Sequence, residues 1–209
     1  MGENQLGLLH IYCGDGKGKT TAALGQAVRA AGRGWRVGIA RFLKTEDSGE
    51  VPVLKQISGI QLLPCTQSFG FTFRMSEKER AAASCYYNEY FDLAVSRWGL
   101  SESTFGSSSA PGPSPDFPRA HREEKEGGLF AEPVDVVVLD EILGACQSGL
   151  FPREKLELFL KNRRKNLEVI LTGRNAWESL LEMADYVTEM KMVKHPYTRG
   201  VAARKGIEW

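Results

Sequence analysis

A chain of 209 residues suits one domain, or one domain with an appendage, and is long enough to bury a substantial core. Its 27 Lys and Arg residues nearly balance 26 Asp and Glu residues, and this net charge of +1 excludes a global field that would draw the chain to nucleic acid or to an anionic membrane. The four cysteines are scattered and form no C-x-x-C pair, and the start of the chain does not look like a signal segment. No apolar run approaches the ~20 residues of a membrane span. These features predict a reduced, cytoplasmic protein.

The first chemical signal is an apolar strand at residues 8–13 that leads into a glycine-spaced turn and then a helix. Glycines let the backbone curl so that successive N–H groups point into one cavity, and a helix N-terminus adds its positive dipole end. A lysine followed by a threonine would bring a positive charge to the terminal phosphates and a hydroxyl to a magnesium ion. We call this turn the glycine loop, and it comprises Gly14, Asp15, Gly16, Lys17, Gly18, Lys19, Thr20 and Thr21.

The glycine loop departs from the standard pattern G-x-x-x-x-G-K-[ST] by one residue. The first glycine of that pattern would fall at Cys13, so the loop that starts at Gly14 is one residue short. A glycine-rich turn without phosphate is the alternative. The order of strand, turn, Lys-Thr pair and helix favours a phosphate-binding loop.

The second strand is predicted at residues 35–43, after an alanine-rich helix that ends at 31. Its mostly apolar composition is typical of a parallel sheet with helices on both faces. Because ligands of such sheets gather at the carboxyl ends of the strands, Arg41, Lys44 and Glu50 are candidates for ligand contact. A solvated loop is an equal alternative for these residues.

A short third strand is predicted at residues 60–64, and a Gly/Ser/Thr-rich segment with three phenylalanines follows it. Phe69, Phe71 and Phe73 either fill an edge of the core or line a site for a large planar ligand. Because aromatic side chains usually bury for packing, the residues alone favour the core.

A long helix is predicted from Ser76, which forms a capping box with Glu79. After the helix, residues 99–132 are rich in serine, proline, glycine and charge, a composition that cannot bury a core. We predict a flexible surface insertion there, with a flap over the site as the alternative. One face of the helix is predicted to pack in the core through Ala83, Tyr87, Tyr90, Ala94 and Trp98.

The second chemical signal is a buried strand at residues 134–141 that ends in the carboxylates Asp140 and Glu141. This is the form of a Walker B strand, in which one acid holds magnesium and its water shell and the other polarises a group near the phosphates. A helix cap is the alternative role for these acids. Residues 168–172 are a further predicted strand, and Arg174 at its carboxyl end is a candidate phosphate contact.

The remaining elements are a helix opened by Pro152, a short helix at 176–183, a last strand at 186–191 and an ordered tail. Together the elements predict one α/β domain over residues 1–209. The predicted fold is P-loop NTPase-like, of the RecA type, with a mostly parallel sheet and helices on both faces.

Taken together, these motifs resemble the P-loop ATP:corrinoid adenosyltransferases of the CobA/BtuR type. The resemblance covers nearly the whole chain outside 99–132 and includes the same one-residue shortening of the glycine loop. The other matching stretches are Arg29 in the first helix and residues 42–44, 70–73, 139–141, 171–174, 193–196 and 206–208.

The resemblance implies that the chain transfers the 5′-deoxyadenosyl group of ATP to the cobalt of a reduced corrinoid and releases triphosphate. The corrinoid would be cob(I)alamin or cob(I)yrinic acid a,c-diamide, in the biosynthesis or salvage of adenosylcobalamin. Because cobalt is the nucleophile, no Ser-His or Cys-His pair is needed, and none is evident in the sequence. The resemblance also implies a flavin-dependent reductase as electron donor and a homodimer.

Residue roles follow from the same resemblance. Lys19, Thr20 and Glu141 would be catalytic, and Thr20 and Asp140 would hold Mg²⁺ or Mn²⁺, partly through water. Phe71 and Phe73 would crowd the lower face of the corrin and displace its axial ligand, although enteric members carry tryptophan at the position of Phe73. ATP would contact the whole glycine loop, Arg29 and Arg174.

Two rival classes remain open at the level of sequence. A P-loop phosphotransferase or ATPase would use Asp140 or Glu141 to position an acceptor or water against the γ-phosphate, but the short loop and the segment around Phe71 and Phe73 argue against it. A protein that binds nucleotide or corrinoid without turnover is the other class. Dispensable carboxylates at 140 and 141 would favour that class.

Overall fold

The computed structural model describes residues 6–70, 72–102 and 133–208. A six-stranded sheet runs through this part of the chain, with every strand pair parallel and the order β3-β2-β4-β5-β1-β6. The strands are β1 (Leu9–Cys13), β2 (Val37–Arg41), β3 (Ile60–Leu62), β4 (Val136–Asp140), β5 (Glu168–Thr172) and β6 (Tyr186–Glu189).

Helices connect the strands, and short 3₁₀ turns lie at Thr72–Arg74 and Pro196–Arg199. Two helices, α2 (Val51–Leu54) and α4 (Ile142–Gln147), were not predicted, because four and six residues are too few for a helical period to stand out. None of the helices in the described ranges is both long and apolar enough to cross a membrane. The helices are α1 (Lys19–Ala31), α2 (Val51–Leu54), α3 (Glu77–Arg97), α4 (Ile142–Gln147), α5 (Arg153–Asn162) and α6 (Glu178–Met183).

Each face of the sheet buries its own apolar core, and β4 shows how the strands serve both. Val136 and Val138 join the core under α1 and α2, whereas Val137 and Leu139 join the larger core under α3 to α6. Successive side chains of a strand point to opposite faces, so a strand covered on both sides must be apolar throughout. The predicted P-loop NTPase-like α/β fold, with helices on both faces, is confirmed.

The predicted packing face of α3 is confirmed. Ser76 accepts a hydrogen bond from the Glu79 N–H, and the Glu79 carboxylate accepts one from the Ser76 N–H, which closes the capping box. Trp98, just past the helix, packs so closely on β2 that a Cβ at Gly38 would lie 2.7 Å from its ring. The other core residues predicted on this face, Ala83, Tyr87, Tyr90 and Ala94, are all buried.

The first residues of the predicted insertion at 99–132 are packed against the domain. Leu100 is fully buried in the core, and its carbonyl accepts a hydrogen bond from the Arg164 N–H. Ser101 forms an isolated bridge with Arg163. Residues 99–102 therefore belong to the packed domain, and residues 103–132 lie outside the described part.

The strand order brings the chemical motifs to one edge of the sheet. Because β1, β2, β4 and β5 are parallel neighbours, their carboxyl ends lie side by side. The glycine loop follows β1, the acids 140–141 end β4, and Arg174 follows β5. This edge is where parallel sheets bind their ligands.

Candidate functional site

The glycine loop is held against the end of β6, and this contact explains two of its glycines. The Gly14 N–H donates to the Arg174 carbonyl at 2.7 Å, and the Gly16 N–H donates to the Met190 carbonyl at 2.6 Å. A Cβ at Gly14, where φ is +100°, would overlap the Met190 carbonyl oxygen. A Cβ at Gly16 would lie 2.6 Å from the same oxygen. Any larger residue at either position would push the loop away from β6.

The third glycine of the loop starts helix α1. Gly18 is its N-cap, with φ of +111° and no side-chain cap, and the first helical hydrogen bond runs from the Ala22 N–H to the Gly18 carbonyl. The N–H groups of residues 19–21 therefore have no acceptor within the helix. They lie at the positive end of the helix dipole, which is a favourable place for an anion.

Lys19 folds back over the loop, where its Nζ donates to the Gly16 carbonyl at 2.8 Å. Partial burial lowers the pKa of Lys19, an effect that Glu141 opposes and Arg174 reinforces. An anion between Lys19 and Arg174 would relieve the repulsion of the two cations. Arg174 itself is exposed and lines the same cavity as Lys19.

Asp140 is the centre of a compact polar network. Its side chain is fully buried, and its Oδ1 accepts hydrogen bonds from Thr20 Oγ1 at 2.9 Å and from Thr172 Oγ1 at 2.7 Å. Its Oδ2 accepts no hydrogen bond within the described residues, while Lys44 Nζ lies 3.1 Å away. Lys44 Nζ also donates to Thr20 Oγ1 at 3.0 Å.

The donor set of this network fits a hard divalent cation. A hydroxyl at Thr20 and a carboxylate oxygen at Asp140 are ligands that Mg²⁺ accepts, and Mg²⁺ usually completes its shell with phosphate and water. Within the described residues no group of three His, Cys, Asp or Glu side chains could hold a metal by itself. A metal at this point would need further ligands, such as phosphate or water.

Glu141 has a left-handed backbone, with φ of +60°, which costs a residue other than glycine about 1 kcal/mol. It stands at the N-cap of α4, which is the position that the helix-cap alternative gives this acid, but its side chain makes no capping hydrogen bond. Burial and the charge of Asp140 raise the pKa of Glu141, against the opposing effect of Lys44, Lys19 and Arg174. Glu141 packs over Gly144, where a Cβ would lie 2.6 Å from Glu141 Oε1 and the carboxylate would have to move.

A cavity of about 760 Å³ opens beside this network. One end is charged and carries the glycine loop from Gly16 to Thr21 with Lys44, Glu50, Glu141 and Arg174. The cavity also has an apolar wall, formed by Leu24 and Val28 of α1, Val53 and Leu54 of α2, and Ile57. Residues 206–208 of the tail border it as well. A pocket that combines phosphate-binding groups with an apolar wall suits a nucleotide.

Several predicted contacts lie away from the cavity. Arg29 is exposed in the last turn of α1, ~15 Å along the helix from Lys19, and it does not line the cavity. Asp15 accepts a hydrogen bond from the Met192 N–H at 3.0 Å and so ties the loop to the segment after β6. Arg41 is fully buried and pairs with Glu46, so of the three candidates at the end of β2 only Lys44 and Glu50 line the cavity.

The aromatic segment is described only in part. Phe69 packs against Tyr86 and Tyr87, with ring centroids 5.6 and 5.8 Å apart, so packing in the core is confirmed for this residue. Phe71 and the side chain of Phe73 lie outside the described residues. Their contact with a corrin stays a prediction.

Two functional neighbours were not predicted as such from the sequence. Thr172 donates to Asp140 and accepts from the Glu141 N–H at 2.8 Å, so it orients both acids. Its position as the last residue of β5 was the available signal, because β4 and β5 are adjacent and parallel. Lys44 was a candidate for ligand contact, but its pairing with Asp140 depends on the adjacency of β2 and β4.

The chain matches the family model described as ATP:corrinoid adenosyltransferase BtuR/CobO/CobP over residues 5–102 and 118–209. The unmatched residues 103–117 fall within the predicted insertion. They begin where the packed residues 99–102 end, and the flexible insertion itself stays a prediction.

Curated relatives agree with the family match along almost the full chain. Corrinoid adenosyltransferase CobA of Salmonella typhimurium is 31% identical over 209 residues, which cover 99% of this chain and 88% of the relative. A corrinoid adenosyltransferase of Escherichia coli is 30% identical with the same coverage, and one of Pseudomonas aeruginosa is 28% identical, with 99% and 85% covered. The chain therefore belongs to the ATP:corrinoid adenosyltransferase BtuR/CobO/CobP family.

Proposed function

We propose that this enzyme transfers the 5′-deoxyadenosyl group of ATP to the cobalt of a reduced corrinoid, cob(I)alamin or cob(I)yrinic acid a,c-diamide, and releases triphosphate. The single observation that carries the proposal is the cavity of about 760 Å³, which joins phosphate-binding groups to an apolar wall in a chain of this family. The reaction would serve the biosynthesis or salvage of adenosylcobalamin.

The chemistry asks the protein for alignment and charge stabilisation. A cobalt–carbon bond forms at C5′, the C5′–O bond breaks, and its electron pair leaves with the triphosphate, so no proton is transferred. Lys19, Arg174 and the N–H groups of residues 19–21 would stabilise the charge that develops on the leaving group. The first part of the glycine loop, residues 14–16, would hold that anion site in place. Its hydrogen bonds to Arg174, Met190 and Met192 fix the path of the loop.

Glu141 is assigned an electrostatic role rather than proton transfer. It lies close enough to Lys19, Lys44 and Arg174 to counter their charges, and its N–H is fixed by Thr172. In this position it would keep the cations arranged around the triphosphate. Its unusual backbone is the kind of strain that proteins keep at functional sites.

Thr20 and Asp140 are the residues that would hold Mg²⁺ or Mn²⁺, directly or through water. The buried Oδ2 of Asp140, which accepts no hydrogen bond within the described residues, is the feature that fits a metal. When bound with ATP, the metal would neutralise part of the triphosphate charge. ATP contact by Lys17 and Thr21 is supported by their place in the cavity lining, whereas contact by the distant Arg29 is proposed from the family resemblance alone.

The corrinoid end of the reaction also rests on the resemblance. We assign Phe71 and Phe73 to the lower face of the corrin, where displacement of the axial ligand would make Co(II) easier to reduce. A flavin-dependent reductase would supply the electrons. We expect a homodimer in the cytoplasm.

One anaerobic assay tests the proposal against its rival, transfer or hydrolysis at the γ-phosphate. The protein is supplied with ATP, Mg²⁺ and chemically reduced cobalamin. We expect a light-sensitive alkylcobalamin together with an equal amount of triphosphate. ADP and orthophosphate without an alkylcobalamin would refute the proposal in favour of a phosphotransferase or ATPase.

A further inference from the structure

Lys44 lies outside the glycine loop, yet its ammonium group stands between the two residues that would hold the metal. Its Nζ is 3.0 Å from Thr20 Oγ1 and 3.1 Å from Asp140 Oδ2. A metal ion bound directly by these two oxygens would need the same point in space. The side chain is only one-quarter exposed, and it lines the cavity beside the glycine loop.

The position of Lys44 is built by its neighbours. Leu43, directly before it, has a left-handed backbone with φ of +54°, which turns the chain sharply after β2. The fully buried Arg41 holds the loop from below, because it donates to the Thr45 carbonyl at 2.9 Å and pairs with Glu46 Oε1 at 2.5 Å. Glu46 Oε1 in turn accepts the Cys65 N–H at 2.8 Å.

The charge balance of the site gives Lys44 a reason to be there. Asp140 is fully buried, and a buried carboxylate requires a nearby positive charge or several hydrogen bonds. Lys19 bonds to the Gly16 carbonyl instead, and Arg174 is exposed. Within the described residues, Lys44 is the cation that forms an ion pair with Asp140.

We propose that Lys44 is a built-in cation that occupies the metal position in the nucleotide-free enzyme and moves to the triphosphate when a metal–ATP complex binds. The inference rests on the proposed function only in placing the metal at Thr20 and Asp140. Two cations cannot share the same pair of oxygens, so metal alone binds weakly while Lys44 is in place. The enzyme thus takes metal and nucleotide together.

The test measures Mn²⁺ binding by electron paramagnetic resonance, without ATP, in the wild-type protein and in Lys44→Met. Methionine keeps much of the unbranched stem and removes the charge. We expect Lys44→Met to bind Mn²⁺ at least about tenfold more tightly, because Asp140 then lacks a competing cation. Lys161→Met, a charge-matched change in the last turn of α5, is the control and should bind like the wild type.

A second readout covers the case in which Lys44→Met is unstable. Mn²⁺ should raise the thermal unfolding temperature of nucleotide-free Lys44→Met, or of Lys44→Gln, but leave that of the wild type unchanged. Adding Asp140→Asn to either variant should abolish the shift. Equal Mn²⁺ affinity in wild type and Lys44→Met would overturn the inference, as would tighter binding that survives Asp140→Asn. Neither readout uses adenosyl transfer, so their failure is separate from failure of the proposed reaction.

Discussion

Gly14→Ala tests whether the glycine loop keeps its path because it is pressed against β6. The new Cβ would overlap the Met190 carbonyl oxygen and lie 2.9 Å from the Met190 nitrogen. Both atoms already make hydrogen bonds, from the Gly16 N–H and to the Cys13 carbonyl. Because these contacts are backbone, neither side can give way by a simple rotamer change.

The size of the effect can be worked from two parts. Alanine at φ of +100° has to adopt a left-handed backbone, which costs about 1 kcal/mol. Inserting a methyl group into a filled space costs about 1–3 kcal/mol more. The total of about 2–4 kcal/mol corresponds to a melting temperature lower by about 4–16 °C for a domain of this size.

Substitutions at two other glycines separate the backbone cost from the packing cost. Gly34 has φ of +86° but open space around its Cβ position, so Gly34→Ala should lose only the backbone part, about 1 kcal/mol. Gly25 lies in α1 with open space as well, so Gly25→Ala should be neutral or stabilising by up to ~1 kcal/mol. Equilibrium urea unfolding gives the free energy of unfolding of each variant, and titration with a fluorescent ATP analogue shows whether the glycine loop still binds nucleotide. If Gly14→Ala were no less stable than Gly34→Ala, the contact with β6 would not be what shapes the loop.

Four further outcomes are expected. Lys19→Ala should lower kcat/KM for adenosyl transfer at least about a hundredfold in the anaerobic assay. A change within about twofold would contradict the proposed role of Lys19 at the leaving group. Phe73→Ala should slow the reaction when Co(II) is reduced by a flavin donor but not when Co(I) is supplied, and equal loss in both assays would contradict the displacement of the axial ligand. Burial raises the pKa of Glu141, so the native state binds a proton at this carboxyl group more tightly than the unfolded state does. The stability of the wild type therefore falls as the pH rises above 4.5, the ordinary pKa of a glutamate, because the buried group then has to ionise. In urea unfolding, the free energy of unfolding of Glu141→Gln should therefore rise relative to that of the wild type from acidic to neutral pH. If the two free energies changed with pH in parallel, this prediction would be wrong. Thr172→Val should cost about 1–3 kcal/mol because it leaves the Glu141 N–H unpaired and removes a donor to Asp140, whereas Thr172→Ser should restore most of it; equal loss in both would show that packing matters more than the hydroxyl.

The sequence by itself determined the order and type of the main elements. The apolar run 136–140 favours a strand that is covered on both faces, and the Ser76–Glu79 capping box predicts the start of α3. Glycines at 14 and 18 predict a positive φ, which the structure has at both positions. These signals are local, because each depends on neighbouring residues and on the period of one element. The family resemblance could be seen in the sequence because it also depends on short local motifs.

Only the tertiary structure decided which side chains meet. Lys44 and Asp140 are far apart in sequence, and they pair because β2 and β4 are neighbours in the strand order. Thr172 reaches Asp140 because β5 lies beside β4, and Met190 presses on the glycine loop because β6 lies beside β1. Strand order and register arise from packing over the whole domain, which a local pattern does not contain. For that reason the sequence predicts a phosphate site, whereas only the structure shows that Lys44 Nζ lies 3.1 Å from Asp140 Oδ2 and 3.0 Å from Thr20 Oγ1.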